Sequence, residues 1–293
     1  MKDRFRKRIE EARRIADRFI PLSQFPPSGG AEGGEKQMKY IASCSFGKDS
    51  LAMVLLLIET GYQLDEVIFF NTGMEFEAIY NVRDRLIPIL EERGIKYTEL
   101  EPQKPFLYNM LERPVESKQK GCHCGYGWCG GVCRWGTTEK NRIIDEYKAG
   151  INDEVYEYVG IAADEAWRAK GKRYPLIDLG MTEAACLAYC WDRGWNWLER
   201  TTATETGYID LYKILDRVSC WCCSNKNRKE LKNIYIFLPE YWEKLKFLQS
   251  RIDRPMKKWK NARYGEYGDV FQMEEVFKNE RLEEVVQLSL FDG

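Results

Sequence analysis

Short apolar runs alternate with amphipathic segments from residue 39 onward, and this order predicts a doubly wound, mostly parallel α/β sheet. Strands are predicted at KYIASC, DEVIFFNT, KYTELE and VYEYVGIAA. Helices are predicted at SLAMVLLLIETG and from Phe76 to Arg93. Two more are expected, one opened by Thr182 and one over residues 226–253 with a break near Pro239.

The rest of the chain departs from this alternation. Apolar residues at helical spacing predict an amphipathic helix over residues 1–20, and a stretch rich in Pro and Gly predicts a flexible linker over residues 21–37. Residues 103–136 are expected to form a long functional loop within a domain that spans residues 38–253. Residues 254–293 are interpreted as a C-terminal tail.

Composition narrows the functional classes. The 293 residues carry a formal net charge of -1, so any contact with nucleic acid must use local patches. The longest apolar stretch is too short for a membrane span, and the N-terminus lacks the apolar core of a signal peptide. A soluble, cytoplasmic protein is therefore expected. Its ten cysteines would meet a reducing environment, where clustered thiols favour metal binding over disulfides.

The turn Ser45-Phe46-Gly47-Lys48-Asp49-Ser50 joins the first predicted strand to the first predicted helix. Backbone amides at a helix N-terminus attract phosphate, and Gly47 permits a close backbone approach. Lys48 supplies a positive charge, and Asp49 is suited to orienting the loop or holding Mg²⁺. The spacing differs from that of a Walker A motif. A plain helix-capping turn is the alternative interpretation.

This turn resembles the PP-loop of the phosphoadenosine phosphosulfate (PAPS) reductase family, and further segments match in the family's order. Residues 70–75 (FNTGME) are similar to its D-T-G-x-E segment, with Asn71 in place of aspartate. Residues 160–165 (GIAADE) are similar to its G-I-R-A-D-E segment, with Ala162 in place of arginine, and Arg168 and YPL follow. Arg168, Lys170, Lys172 and Arg173 are the candidate substitutes for that arginine.

The resemblance spans roughly residues 39–250 and implies a Rossmann-like adenine nucleotide alpha-hydrolase fold with a cysteine-rich, metal-binding insertion and a helical C-terminal part. It implies ATP, PAPS or unphosphorylated adenylyl sulfate (APS) as the nucleotide, together with Mg²⁺. The candidate nucleotide contacts are Ser45, Phe46, Gly47, Lys48, Asp49, Ser50, Thr72, Gly73, Glu75, Gly160 and Arg168. The candidate catalytic residues are Lys48, Asp49 and Asp164.

Seven cysteines fall in two tight groups. The segments around them resemble parts of uncharacterised members of the family, although Gly136 replaces one of their cysteines. Four thiolates would suit either structural zinc or a [4Fe-4S] cluster. The candidate ligands are Cys129, Cys133, Cys220 and Cys223, with Cys122, Cys124 and His123 as alternatives. Cys44, Cys186 and Cys190 are interpreted as buried free thiols.

Three functional hypotheses follow. The first is an enzyme of sulfur transfer or reduction that cleaves its nucleotide at the α-phosphate. A thiol-dependent reductase needs a nucleophilic cysteine, usually on a C-terminal segment, and this sequence has none after Cys223. The second hypothesis is an ATP pyrophosphatase that modifies DNA or RNA with sulfur. The third is a non-catalytic module that senses nucleotide or binds a sliding clamp, since Gln287 to Phe291 (QLSLF) resembles a clamp-binding peptide.

Overall fold

The computed structural model describes residues 38–117 and 121–291, with side chains described up to Arg281. The helix and linker predicted for residues 1–37 lie outside the described residues. The chain divides into two compact units. Of the described residues, unit 1 comprises residues 38–71, Glu77–Glu101 and Lys140–Trp197. Unit 2 comprises Thr72–Phe76 and the described parts of residues 102–139 and 198–291.

The regular elements are numbered in chain order. The strands are β1 (Met38–Ser43), β2 (Glu66–Phe70), β3 (Lys96–Leu100), β4 (Pro114–Ser117), β5 (Gly121–Cys124), β6 (Glu154–Val159), β7 (Leu198–Arg200), β8 (Tyr208–Asp210), β9 (Trp259–Asn261) and β10 (Gly265–Tyr267). The helices are α1 (Lys48–Thr60), α2 (Glu77–Glu92), α3 (Lys140–Ala149), α4 (Pro175–Asp178), α5 (Glu183–Asp192), α6 (Leu211–Ile214), α7 (Arg228–Phe237), α8 (Pro239–Ser250) and α9 (Val270–Phe291). Single helical turns occupy Tyr108–Glu112, Arg134–Glu139 and Ala163–Arg168.

Unit 1 is built on a four-stranded parallel sheet in the order β3-β2-β1-β6. All five residues of β2 are buried, as expected for a strand covered on both faces. Ile41, Ile68, Phe70 and Ile144 form part of the core. Helix α1 buries nine of its residues and ends at Gly61, whose left-handed backbone closes the helix. The α/β prediction is confirmed.

Unit 2 contains three two-stranded antiparallel hairpins, β4-β5, β7-β8 and β9-β10, together with helices α6 to α9. Asn227 and Glu230 form a reciprocal capping box at the start of α7. The indole of the buried Trp128 donates to Gln249 Oε1 at 3.2 Å, which ties the cysteine-rich segment to α8. Small hairpins of this kind depend on such tertiary contacts for stability.

The structure places regular elements where the sequence analysis expected a loop and a tail. Residues 103–136 contain the hairpin β4-β5, and residues 254–293 contain the hairpin β9-β10 and the helix α9. The predicted clamp-binding peptide, Gln287 to Phe291, falls in the last turns of α9, and its side chains lie outside the described set. None of the described helices has the length and apolar character of a membrane span.

Candidate functional site: the PP-loop and the clustered thiols

The loop between β1 and α1 has a fixed shape. Ser50 Oγ accepts from the Ser45 amide at 3.1 Å and donates to the Gly47 carbonyl at 3.2 Å. Phe46 has a φ of 56°, a conformation that residues other than glycine rarely adopt. Its ring is buried against Phe69, and its carbonyl accepts a 2.7 Å hydrogen bond from the Trp197 indole. The core of unit 1 therefore holds the loop in a strained conformation.

The N-terminus of α1 is suited to anions. The N-cap residue is Gly47, which has no side chain to accept from the first helical turn. The amides at this end carry the positive end of the helix dipole. The buried Lys48 ammonium lies 3.1 Å from Asp49 Oδ2 and 2.7 Å from Glu183 Oε2. Burial alone would lower the pKa of Lys48, but the two carboxylates outweigh it and the net shift is upward.

Asp49 has a carboxylate oxygen that the described residues leave without a hydrogen bond. Its Oδ2 contacts Lys48, whereas its buried Oδ1 has no partner within the described parts of the chain. Burial raises the pKa of Asp49 to about 6, with Lys48 opposing the shift and Glu183 and Glu165 adding to it. A buried oxygen of this kind is a suitable ligand for a hard cation, so Mg²⁺ fits the donor chemistry of the loop.

The segment that begins at Gly160 packs directly on the loop. A Cβ atom at Gly160 would lie 2.8 Å from Ser50 Cα, so this position requires glycine. Asp164 Oδ1 accepts from the Glu183 amide at 3.0 Å, and Glu165 forms an ion pair with Arg168. The structure therefore assembles Gly160, Asp164 and the loop within unit 1. It also adds Glu183, whose contact with Lys48 the sequence analysis missed.

The residues proposed to replace the family's arginine have other contacts. Ala162 is fully buried, and Lys172 pairs with Glu157 at 2.9 Å. The Arg173 guanidinium lies 5.2 Å from the centre of the Tyr156 ring. Asn71 likewise has a structural contact, because its amide donates to Glu99 at 2.7 Å. A sulfate or 3′-phosphate contact from these residues stays a prediction.

Thr72, Gly73 and Glu75 belong to unit 2, where they contact the second cysteine group. Thr72 Oγ1 donates to Glu75 at 2.9 Å and lies 3.4 Å from Cys220 Sγ, which in turn lies 3.6 Å from Glu75. The amide of Trp221 donates to the Met74 carbonyl at 3.0 Å. Their proposed contact with the nucleotide stays a prediction.

The two cysteine groups meet within unit 2. The Ser224 hydroxyl donates to the Cys129 carbonyl, and Asn225 donates to the Gly131 carbonyl at 2.9 Å. A hydrogen bond from Cys133 lowers the pKa of Cys129 to about 6. Burial raises the pKa of Cys220 well above its usual value.

No three His, Cys, Asp or Glu side chains in the described ranges stand in an arrangement that could hold a metal ion. The present positions of the thiols therefore do not fit a preformed zinc or iron-sulfur site, and the four-thiolate ligand set stays a prediction. Cys122 and Cys124 are exposed on β5. Cys44, Cys186 and Cys190 are buried, as interpreted from the sequence.

Comparison with known proteins supports the loop assignment. The model of the phosphoadenosine phosphosulfate reductase domain family matches residues 39–116. This segment is therefore similar to the phosphoadenosine phosphosulfate reductase domain. The match covers β1, the loop, α1, β2, α2 and β3, which together form much of unit 1. It confirms the family resemblance for the PP-loop and residues 70–75, whereas the resemblance of residues 160–165 and of the cysteine segments stays a prediction.

Two individual proteins are also similar. An uncharacterized protein of Methanocaldococcus jannaschii is 29% identical over 206 residues, which is 68% of this chain and 39% of that protein. The chain thus spans well under half the length of this relative. The U34-tRNA thiolase NcsA of Methanococcus maripaludis, solved with its [4Fe-4S] cluster, matches at 17% identity and a TM-score of 0.37, over 64% of each chain. A structural likeness at that level carries no functional argument.

Proposed function

We propose that unit 1 binds an adenine nucleotide, ATP or an adenylyl sulfate, and that the protein is an enzyme that cleaves it at the α-phosphate in sulfur chemistry. The observation that carries the proposal is the fixed loop at the start of α1, which presents amides, a buried Lys48 and an unpartnered Asp49 oxygen together. The PAPS reductase-type domain over residues 39–116 supports the same function.

Each loop residue has a distinct role in this proposal. The amides of the first turn of α1 and the Lys48 ammonium bind the phosphates and neutralise the charge of the departing group. Ser45 and Ser50 position the loop through the 3.2 Å contact between their hydroxyls, and Ser50 Oγ also accepts from the Ser45 amide. Asp49 would hold Mg²⁺, which would supply charge stabilisation to the phosphate chain.

The two carboxylates beside Lys48 determine how its side chain would respond to a bound nucleotide. In the described structure two carboxylates, Asp49 and Glu183, compensate its charge. A phosphate oxygen is a charged acceptor that can take the place of a carboxylate oxygen at an ammonium group. We therefore expect Lys48 to exchange a contact with Glu183 for one with the nucleotide, while Asp49 stays at the loop.

The test is nucleotide binding and pyrophosphate release by Lys48→Met, which keeps the apolar stem and removes the charge. Losing a charged hydrogen bond to phosphate costs about 1.5 to 3 kcal/mol, so affinity for ATP should fall about tenfold or more. Arg142→Ala is the matched control, because it removes a charge of the same sign from an exposed i,i+4 pair with Glu146 on α3. Ser50→Ala gives a second, smaller change in the same loop.

The outcomes separate the hypotheses. Tight ATP binding that survives Lys48→Met would sink the proposed site. Binding without release of pyrophosphate from ATP, or of sulfite from adenylyl sulfate supplied with a dithiol as the two-electron reductant, would contradict the enzyme assignment and favour a nucleotide-sensing module. Release of pyrophosphate that depends on Lys48 supports the proposal. Release of sulfite would identify the enzyme as one of sulfur reduction.

A further inference from the structure

Unit 2 contains an open cleft of about 1070 Å³ that the nucleotide proposal does not use. Its walls come from the hairpin β4-β5, the residues that follow it, and the segment after α8. Four exposed arginines line it, namely Arg113, Arg134, Arg251 and Arg254. The acidic residues of the lining are Glu116 and Asp253, so positive charge is in excess.

These arginines are available to an anionic ligand. Arg134, Arg251 and Arg254 form no ion pair with any carboxylate in residues 38–117 and 121–281. Arg113 donates to the neutral amide of Asn109 at 3.2 Å. The exposed Arg142, by contrast, pairs with Glu146 at 2.6 Å. An unpaired guanidinium group in a concave surface is a strong phosphate contact because it offers several donors in a planar fork.

An aromatic ring lies among these charges. The Tyr126 ring has the Arg134 guanidinium 4.9 Å and the Arg113 guanidinium 5.7 Å from its centre. The backbone beneath it is fixed, because the Tyr126 amide donates to the Asn109 carbonyl at 3.1 Å. A half-buried ring flanked by cations is a platform on which an unstacked base can lie while its phosphates contact arginine.

The basic surface continues along the chain. Residues 251–264 contain six basic residues and one acidic residue, within a protein of formal net charge -1. This segment includes the strand β9 and places Trp259 beside Lys257, whose ammonium lies 5.8 Å from the ring centre. Basic and aromatic residues are therefore interleaved over a length greater than the cleft alone, which matches an extended polyanion better than a single small anion.

We propose that the arginine cleft of unit 2 binds single-stranded nucleic acid, with the arginines on consecutive phosphates and Tyr126 stacked on a base. A duplex would offer the same phosphates but would keep its bases inside the stack, out of reach of Tyr126. RNA and DNA share the chemistry that the cleft recognises. The activity goes beyond the proposed nucleotide chemistry and does not depend on it.

Fluorescence anisotropy on the full chain tests the proposal, with unstructured RNA and DNA strands of about 15 nucleotides and a duplex of equal length. The double variant Arg251→Ala/Arg254→Ala should bind single strands about tenfold more weakly at about 0.1 M salt, with a salt slope shallower by about 1.4. The matched control is Lys213→Ala/Lys229→Ala, which removes two exposed charges elsewhere in unit 2. It should bind as the wild type does.

Tyr126 provides a second test. Tyr126→Leu should weaken single-strand binding about tenfold, and Tyr126→Phe should retain it because the ring is kept. Lys48→Met should bind oligonucleotide normally, so failure of the nucleotide proposal and failure of this one are distinguishable. Preference for RNA would indicate contacts to the 2′-hydroxyl, and equal affinity for DNA would indicate phosphate and base recognition; both support the cleft.

Several results would overturn the proposal. The first is no binding of single strands at micromolar protein, and the second is an equal loss of affinity in the arginine and lysine double variants. The third is duplex binding as tight as single-strand binding, with no effect of Tyr126→Leu. The fourth is competition by inorganic polyphosphate that is as effective as competition by oligonucleotide.

Discussion

The two units reach stability in different ways. Unit 1 has a parallel sheet whose β2 strand is fully buried and whose α1 helix buries nine residues, so regular elements supply its core. Unit 2 has hairpins of three or four residues per strand, and specific contacts such as that of Trp128 with Gln249 hold its irregular segments. We therefore expect the stability of unit 2 to depend on a few close contacts between its irregular segments, and that of unit 1 on its packed core and the polar groups buried in it.

The strongest test of the contrast is Gly125→Ala in unit 2. Gly125 has a φ of +68°, and a Cβ there would lie 2.2 Å from the Met110 carbonyl oxygen. Steric overlap with backbone and the disfavoured φ together should cost about 3 to 5 kcal/mol of unfolding free energy. Urea denaturation followed by tryptophan fluorescence measures the loss.

Gly207→Ala is the matched control for this experiment. Gly207 also lies in unit 2 with a φ of +71°, but nothing lies within 4 Å of its added Cβ. It should lose only about 1 kcal/mol, the cost of the left-handed backbone. Equal losses in the two variants would show that unit 2 does not depend on the close approach at Gly125.

The next test concerns the one fully buried carboxylate of β2. Burial alone would raise the pKa of Glu66, but hydrogen bonds from Lys39, Thr98, Tyr147 and Lys96 outweigh it and lower the pKa to about 2. The side chain is inaccessible to solvent, and Lys39 and Tyr147 lie 2.7 and 2.6 Å from it. Glu66→Gln should therefore cost on the order of 2 to 3 kcal/mol at pH 7.

The lowered pKa of Glu66 also predicts how the stabilisation changes with pH. A lowered carboxyl pKa stabilises the folded state above the unfolded value of about 4.5, and the stabilisation is lost as the pH falls toward about 2. The difference in unfolding free energy between wild type and Glu66→Gln should therefore decrease as the pH falls from about 4.5 to about 2. Glu92→Gln, at an exposed position of α2, serves as the control, and a difference that stays constant down to pH 2 would contradict the assigned shift.

The smallest expected effect comes from a substitution at the contact between the core of unit 1 and the PP-loop. Trp197→Phe removes the 2.7 Å hydrogen bond to the Phe46 carbonyl and should cost about 1 to 2 kcal/mol. ATP affinity should fall severalfold, because the loop would lose a constraint on its shape. Trp195→Phe is the control, since Trp195 is buried against Arg85. Trp195→Phe should lower stability without changing the affinity for ATP. Equal ATP affinities in the two variants would contradict the proposed effect of the Trp197 hydrogen bond on the loop.

The four strands of the central sheet and several of the helices could be predicted from short apolar runs and helical spacing, whereas helix α3 was not predicted. The second helix was expected from Phe76 to Arg93 and spans Glu77–Glu92, and the break near Pro239 separates α7 from α8. The hairpin β9-β10 could not be predicted, since strands of three residues contain too few alternating positions to show a period. A tail was expected there instead.

The site was predictable where its residues lie within a sequence motif. The PP-loop residues adjoin one another in the sequence, and the structure holds them together. The contact of Lys48 with Glu183 joins positions 135 residues apart, and no local pattern indicates it. Thr72 and Glu75 contact Cys220 within unit 2, which no local pattern indicates, and their contact with nucleotide stays a prediction.

The conformation of Phe46 has a consequence for the kinetics of ligand capture. Its left-handed backbone is already maintained by burial of its own ring and by Trp197. A loop ordered in advance loses little conformational entropy when it encounters a ligand. We therefore expect ATP association to be a single phase whose rate rises in proportion to ATP concentration, without the plateau that a slow loop rearrangement would impose.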